Sequence, residues 1–479
     1  MISRRDWITS AIASSASGAQ AQRTNVILMV ADDLNTDLGC YGNPLVKTPH
    51  LDRLASRGVQ FDAAHCQFPL CAPSRASFLS GRRPETTRVL SLSVPTRKYM
   101  ADVVMLPELF RKNGWFTGQT GKIYHTGPEH EDPRSWDYAL PESGKSPPQS
   151  DIVKEHIARK PRNHSMSWHQ LKTPDEQTPD GIVVSKAVEL MREKHGAGKP
   201  FFLGVGFRRP HSPYAAPRKY FDLYDPAKIP LPDAGDRGRI LPAAWYEIEN
   251  QPRLSEREQR EYRAAYYACN SFMDARAGVV LRAMDELKLW DNTVVVFVGD
   301  NGYHTGEHGM WHKMTLFEES TRVPLIVYAP GMPGNGKRCR GLVEFVDIYP
   351  TVTELCGVKP PAGLEGVTLR PWLNDPLHPG KNAVYSMVGR SEDRNVSHRE
   401  PTYFGRSVRT GRWRYTEWDG GRRGVELYDH ENDPREMTNV ATDARYAGTI
   451  AELKELLGKV PVRHSAARGG IADWSRTRG

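Results

Sequence analysis

The sequence predicts an α/β protein: a large, mostly parallel β-sheet sandwiched by helices, with a smaller α+β subdomain at the C-terminus. Three observations predict it. Continuous apolar runs such as Val26–Val30 suit strands buried on both faces. Stretches with helical spacing alternate with those runs, as when crossover helices join parallel strands. Beyond about residue 380 the pattern changes to short strands followed by one helix.

Residues 1–22 open with Ser3-Arg4-Arg5-Asp6-Trp7, continue through small residues and reach Ala19-Gln20-Ala21. This reads as a twin-arginine export signal with a cleavage site, directing the chain to the bacterial periplasm or the extracellular space. The plainer reading is a disordered tail. Val26–Val30 is the first strand. Leu51, Leu54 and Ala55 form a short helical stripe that Gly58 can end, and Leu106, Leu109 and Phe110 repeat it, with Asn113-Gly114 as the stop. Phe201–Val205 reads as a buried strand. Met273, Ala277, Val280, Leu281, Met284 and Leu287 mark an amphipathic helix, and Thr293–Val298 and Pro324–Tyr328 are further strands. Segments 128–180 and 208–255 read as long irregular loops. The Pro/Gly-rich stretch 358–380 separates a larger unit, 23–378, from a C-terminal one, 379–479. In the latter, Ser407–Trp418 and Val425–Tyr428 read as short strands and 447–458 as a helix.

The 479 residues, 39% hydrophobic and 25% charged, are ample for a sizeable core. The 11 Trp, 19 Tyr and 14 Phe argue against wholesale disorder. Mean hydropathy is −0.58, and no apolar run reaches the ~18 residues of a membrane-spanning helix. Lys and Arg number 65 against 57 Asp and Glu, a net +8. That balance favours an acidic partner, such as a polyanionic glycan or a small anionic substrate, or is simply solvated surface charge. No basic run is interleaved with aromatics, so nucleic acid is not an expected partner. Six cysteines without a C-x-x-C pair make neither a disulfide scaffold nor a zinc knuckle.

Two predicted strands end in acid. Val26–Val30 runs into Asp32-Asp33, and Thr293–Val298 runs into Asp300-Asn301. In an open parallel sheet, ligands bind beyond the carboxyl ends of the strands. Three carboxylates and an amide oxygen gathered there would need a cation, and hard oxygen ligands suit Ca²⁺ or Mg²⁺. Each acidic pair alone could equally be a cap or a turn. A third element is Cys71-Ala72-Pro73-Ser74-Arg75, with Leu79 and Gly81 behind it. Pro73 suits a first helical turn, which puts Cys71 near a helix N-terminus, where backbone N–H groups favour an anion.

The C-x-P-S-R run at Cys71–Arg75 resembles the maturation motif of the formylglycine-dependent sulfatases. Gly114-Trp115-Phe116-Thr117-Gly118-Gln119-Thr120-Gly121-Lys122-Ile123-Tyr124-His125 resembles their second signature, with Trp115, Thr120 and, in the first motif, Ser80 as peripheral departures. The resemblance runs from about residue 24 to about 445. Within the family it is greatest to the iduronate-2-sulfatases, at Cys71–Arg88, Arg209-Pro210-His211, Gly306–Gly309 up to Lys313, Ser407–Trp418, Glu426–Asp429 and Asp433-Pro434.

The resemblance implies an alkaline-phosphatase-like sulfatase fold whose catalytic domain is the larger unit. It implies a Ca²⁺ (or Mg²⁺) held by Asp32, Asp33, Asp300 and Asn301 together with a formylglycine made from Cys71 by a formylglycine-generating enzyme. Arg75 would stabilise the formylglycine oxygen, and Lys122 and Lys313 would bind sulfate oxygens. His211, assisted by Lys313, would protonate the departing oxygen, and His125 would take the proton of the second aldehyde-hydrate hydroxyl. The implied substrate is a sulfated sugar or polysaccharide. Two alternatives stand beside it: a phosphonate or phosphate ester hydrolase of the same superfamily, and a non-catalytic glycan-binding homologue. Read singly, Lys122 could be surface charge, His125 a core imidazole and His308 structural, while Glu307 and His312 have no assigned role. Trp413, Tyr415 and Trp418 could stack on sugar or pack a core.

Overall fold

The apolar runs become neighbouring strands of one eight-stranded sheet in the computed structural model, which describes residues 23–142, 144, 147–157, 166–246, 254–391 and 400–460. The expected export signal, residues 1–22, lies outside the described residues. In chain order the strands are β1 (Asn25–Asp32), β2 (Val59–His65), β3 (Phe116–Gly121), β4 (Tyr138–Leu140), β5 (Phe201–Pro210), β6 (Thr293–Gly299), β7 (Leu325–Tyr328) and β8 (Arg338–Glu344). Across the sheet they run β8-β2-β7-β6-β1-β5-β3-β4. All neighbours are parallel except β7, which is antiparallel to both β2 and β6.

Every residue of β1, β5 and β6 is buried, because helices cover both faces. Alternation along β1 divides its side chains between two cores. Val26, Leu28 and Val30 join the core that contains Phe78, Leu106 and Ile348, while Ile27, Met29 and Ala31 join the one that contains Leu54, Val184 and Leu281. Each of the Val, Leu, Ile and Met side chains contributes roughly 1.5–3 kcal/mol by leaving water. Helix α1 (Pro49–Ala55) ends before Gly58, whereas the helix Leu106–Lys112 stops at Asn113, before Gly114 at φ +90°.

The long helix starts much earlier than its apolar stripe. It runs Glu256–Glu286, opened by a reciprocal capping box between Ser255 and Glu258. Its first half buries Tyr262, Tyr266 and Tyr267, polar-tipped rings that do not register as an apolar stripe. The segments expected to be irregular also hold structure. Ile152–Ile157, Ser167–Leu171 and Tyr214–Pro217 form a three-stranded sheet, and Tyr138–Leu140 is β4. Charged residues such as Lys154 and Glu155 on the exposed outer strand hid that pattern.

The C-terminal part is an antiparallel sheet of β9 (Val384–Arg390), β10 (Tyr403–Arg409), β11 (Trp413–Trp418) and β12 (Val425–Asp429), with the helix Ala447–Gly458. Ser407–Trp418 is thus the end of one strand, a turn and a second strand. Trp418 and Tyr415 are buried, Trp418 Nε1 donates to Glu426 at 2.8 Å, and Trp413 packs edge-on against Tyr446. These rings build the subdomain and are not a sugar platform. An ionic hub fastens the sheet to the larger unit. Glu318 lies 2.8 Å from Arg414, 3.3 Å from Arg409 and 2.9 Å from His65, and Arg414 also pairs with Glu436. Among the described residues no helix is long and apolar enough to cross a membrane, and all six cysteines are free.

Candidate active site

Four neighbouring parallel strands deliver their C-terminal residues to one sheet edge. Strand β1 ends in Asp32-Asp33, β6 leads into Asp300-Asn301, β3 into Lys122 and β5 into His211. Asp33 sits at φ +61°, a left-handed conformation that turns the chain sharply as it leaves the strand. Close approach of β3 and β5 sets Lys122 in place. A Cβ on Gly206 would collide with the backbone N, C and O of Lys122, and Lys122 N–H donates to Gly206 O at 3.1 Å. The thiol comes from below. Cys71 is the first residue of helix α2 (Cys71–Ser80), which ends at Gly81 in the left-handed conformation. Ser74 Oγ donates to Asp300 O, which ties α2 to the end of β6.

The acids converge. Single ligand atoms of Asp32, Asp33, Cys71 and Asp300 lie within 4.8 Å of one another, all on buried residues. Asn301 Nδ2 donates to Asp33 Oδ1 at 3.0 Å, and its Oδ1 is buried with no hydrogen-bond partner. A buried oxygen left unpaired beside three carboxylates is what a hard divalent cation requires. The donor set therefore fits Ca²⁺ or Mg²⁺, with four residues supplying oxygen.

Cations surround the acids. Lys122 Nζ is 2.6 Å from Asp32 Oδ2, and Lys313 Nζ contacts Asp33 Oδ1 and lies 2.8 Å from Cys71 Sγ. Arg75 Nε donates to Asp300 Oδ2 at 2.9 Å, and its Nη1 donates to Lys122 O and Ile123 O. Lys122 is 4% exposed, so it is not surface charge. His211 Nε2 stands 3.6 Å from Asp33 Oδ2. His125 packs edge-on to His130, and its buried Nδ1 has no partner, so it is not a satisfied core imidazole. His308, by contrast, stacks on Phe317 near Glu319, and Glu307 accepts from Thr305; both build the turn before Lys313.

Charge states follow from this packing. Burial alone would raise the Asp32 pKa, but Lys122, His211 and Arg75 hold it well below the usual carboxylate range. Asp33 is lowered against its burial by Lys313 and His211. Asp300 is pushed up to about 6 by burial and by Asp32 and Asp33, despite Arg75. Burial also lifts the Cys71 thiol well above its ordinary value, with Asp32 adding to it; the unmodified sulfur is no thiolate nucleophile. Burial would strip the proton from Lys313, yet Asp33 keeps its pKa well above the usual one. Burial takes His211 down to about 4 and lowers His125, with Lys122 adding to the latter. At neutral pH Lys313 carries a proton and the two imidazoles do not.

The geometry thus brings together Asp32, Asp33, Cys71, Arg75, Lys122, His125, His211, Asp300, Asn301 and Lys313. The sequence motifs did not point to the tyrosines behind them. Tyr266 Oη donates to Asp33 O at 2.8 Å, and Tyr303 stacks on Tyr266 with ring centroids 5.5 Å apart. The spacing of Tyr262 and Tyr266 on one helix face was the available signal.

A sheet edge of this make, with acids placed to hold a cation and cations placed to receive an anion, suits the hydrolysis of an anionic ester. The sulfatase family profile matches residues 24–358, and a profile for the C-terminal part of N-sulphoglucosamine sulphohydrolase matches 306–463. The chain belongs to the sulfatase family and is a sulfuric ester hydrolase with the alkaline-phosphatase-like fold. It is 30% identical to iduronate 2-sulfatase of Mus musculus, over 93% of this chain and 96% of that one. Two solved structures share the fold. The phosphonate monoester hydrolase of Agrobacterium radiobacter has a TM-score of 0.73 at 23% identity, covering 91% of this chain and 95% of its own. BT4656, in complex with its substrate D-glucosamine-2-N,6-O-disulfate, has a TM-score of 0.72 at 21% identity, covering 92% of this chain and 98% of its own.

Proposed function

We propose that the protein removes sulfate from a sulfated sugar, in the manner of iduronate 2-sulfatase, with Cys71 matured to formylglycine and a divalent ion held by Asp32, Asp33, Asp300 and Asn301. The observation that carries the reading is Cys71 Sγ placed 3.3 Å from Asp32 and 2.8 Å from Lys313, inside the acidic cluster. In the hydrated aldehyde a hydroxyl serves as nucleophile, and the metal would lower that hydroxyl's pKa.

The chain's own residues do the rest. Lys122, Lys313 and Arg75 offset the three carboxylates, so a sulfate monoanion enters a receptive site. Arg75 is locked by Asp300 and two carbonyls, so its charge is fixed where it bears on Cys71. Lys313 holds the proton needed by the departing sugar oxygen, and His211 joins in once the sulfate's charge lies beside it. His125, with Nδ1 unpaired, would take the proton of the second hydroxyl once the sulfate's negative charge beside it restores some basicity. The sugar is consistent with the net positive charge and with what BT4656 and iduronate 2-sulfatase act on. We further propose that residues 1–22 export the chain through a twin-arginine route, that 23–378 form the catalytic domain, and that 379–479 form a C-terminal subdomain.

The test has two parts. Peptide mass should show the Cys71 fragment lighter than its thiol form by the exchange of sulfur for oxygen with two fewer hydrogens. Turnover of 4-nitrophenyl sulfate should exceed that of 4-nitrophenyl phosphate and vanish in Cys71→Ala. An unmodified thiol in fully active protein sinks the formylglycine assignment, and a preference for phosphate turns the reading to a phosphoester hydrolase.

A further inference from the structure

His312 precedes Lys313 in the chain and has no role in the reading above. Its ring is 5% exposed, and its backbone is held at φ +73°, a strained conformation for a residue with a side chain. His312 Nδ1 lies 2.6 Å from Tyr303 Oη, and Tyr214 Oη donates to that same oxygen at 2.9 Å. The Tyr303 oxygen accepts from Tyr214 and also meets the Ser212 side chain, which leaves its own hydrogen for Nδ1. An imidazole whose Nδ1 accepts carries its proton on Nε2. That Nε2 is buried and has no hydrogen-bond partner.

A buried donor without an acceptor is costly and is rarely left so without a purpose. The ionisable groups that bear on this ring are Asp33, Lys313 and His211, all in the active site. Burial and Lys313 bring its pKa down to about 3, so it stays neutral at working pH. The tyrosine chain that fixes its tautomer is anchored in turn, since Tyr303 stacks on Tyr266, which holds the backbone of Asp33.

We infer that His312 is a substrate-binding residue, donating its Nε2–H to an acceptor oxygen on the alcohol part of the ester, a sugar hydroxyl or carboxylate. Lys122 and Arg75 lie about Asp32. The charges felt by His312 are those of Asp33, Lys313 and His211, and Lys313 and His211 are the groups that the reading above sets at the departing sugar oxygen. A neutral donor selects an oxygen there without adding charge, and the Tyr214–Tyr303 pair is its positioning device. This inference rests on the sulfatase reading and deepens it.

The experiment compares wild type, His312→Phe, His312→Gln and Tyr303→Phe on 4-nitrophenyl sulfate and on a panel of O-sulfated monosaccharides and 2-O-sulfated uronate disaccharides. His312→Phe should lose about 30-fold in kcat/KM on the best sugar ester, mostly through KM, and at most about 3-fold on the aryl ester. His312→Gln, which keeps a donor, should recover much of the loss. Tyr303→Phe should lose about 5-fold on the sugar only, and its ¹⁵N-histidine spectrum should show mixed tautomers where wild type shows Nε2–H alone. Equal losses on both esters, no loss on the sugar, or a wild type that cleaves aryl but no sugar ester overturns the inference. If wild type cleaves neither ester, the sulfatase reading itself has failed. If His312→Phe does not fold, the Gln and Tyr303 variants decide.

Discussion

Asn301 shows how much one unpaired atom can say about a side chain's task. Its amide nitrogen is committed to Asp33, and its oxygen is buried and unpaired. Asn301→Ala should therefore weaken Ca²⁺ binding about 10-fold or more, read by calorimetric titration, while leaving the fold's melting temperature without metal close to wild type. An unchanged affinity would remove Asn301 from the ligand set. At this scale much of the candidate site was legible in the sequence. Asp32, Asp33, Cys71, Arg75, Lys122, His125 and Lys313 lie in short runs with recognisable spacing, and acids at strand ends have a physical reason to be there. Tyr214, Tyr303 and His312 were not legible. Their hydrogen-bonded chain joins two distant segments, and no local pattern announces a contact that only the tertiary fold creates.

Among the elements, β3 and β5 pack so closely that a side chain at Gly206 has no room. Gly206→Ala should displace Lys122, costing about 3 kcal/mol through overpacking, seen as a lower denaturant midpoint together with lost turnover. Normal stability would show that the two strands can part without harm. The ionic hub under the C-terminal sheet makes a second prediction. Burial alone would raise the pKa of Glu436, yet Arg414 and His430 bring it down to about 2, and Glu318 is likewise held well below its ordinary value by His65 and Arg414. A lowered carboxyl pKa stabilises the fold above the unfolded value of about 4.5 and is lost as pH falls through the folded one. Unfolding midpoints should fall between about pH 4.5 and 2, with Glu436→Gln flattening that slope by an amount on the order of 3 kcal/mol. An unaltered slope would show that the hub does not set acid stability. The buried strands of the main sheet were legible because apolar runs need no context. The first half of the long helix and the small three-stranded sheet were not, since tyrosines and charges mask their periodicity.

Over the whole molecule the net charge of +8 should draw in polyanions. Raising NaCl from 50 to 300 mM should lower kcat/KM on a sulfated polysaccharide several-fold more than on 4-nitrophenyl sulfate, because salt screens long-range attraction to many charges before it disturbs contacts inside a closed site. Equal salt effects would place the recognition wholly in the pocket. Cys71 carries a different consequence. Its side chain is 1% exposed, wedged between β1, β6 and the turn that bears Lys313. Once those strands have closed, no second enzyme can reach the sulfur. If Cys71 is matured as proposed, activation becomes a race between oxidation of the nascent chain and its collapse. Copies that collapsed first would then stay inert, so the specific activity of a preparation would record how fast it was synthesised.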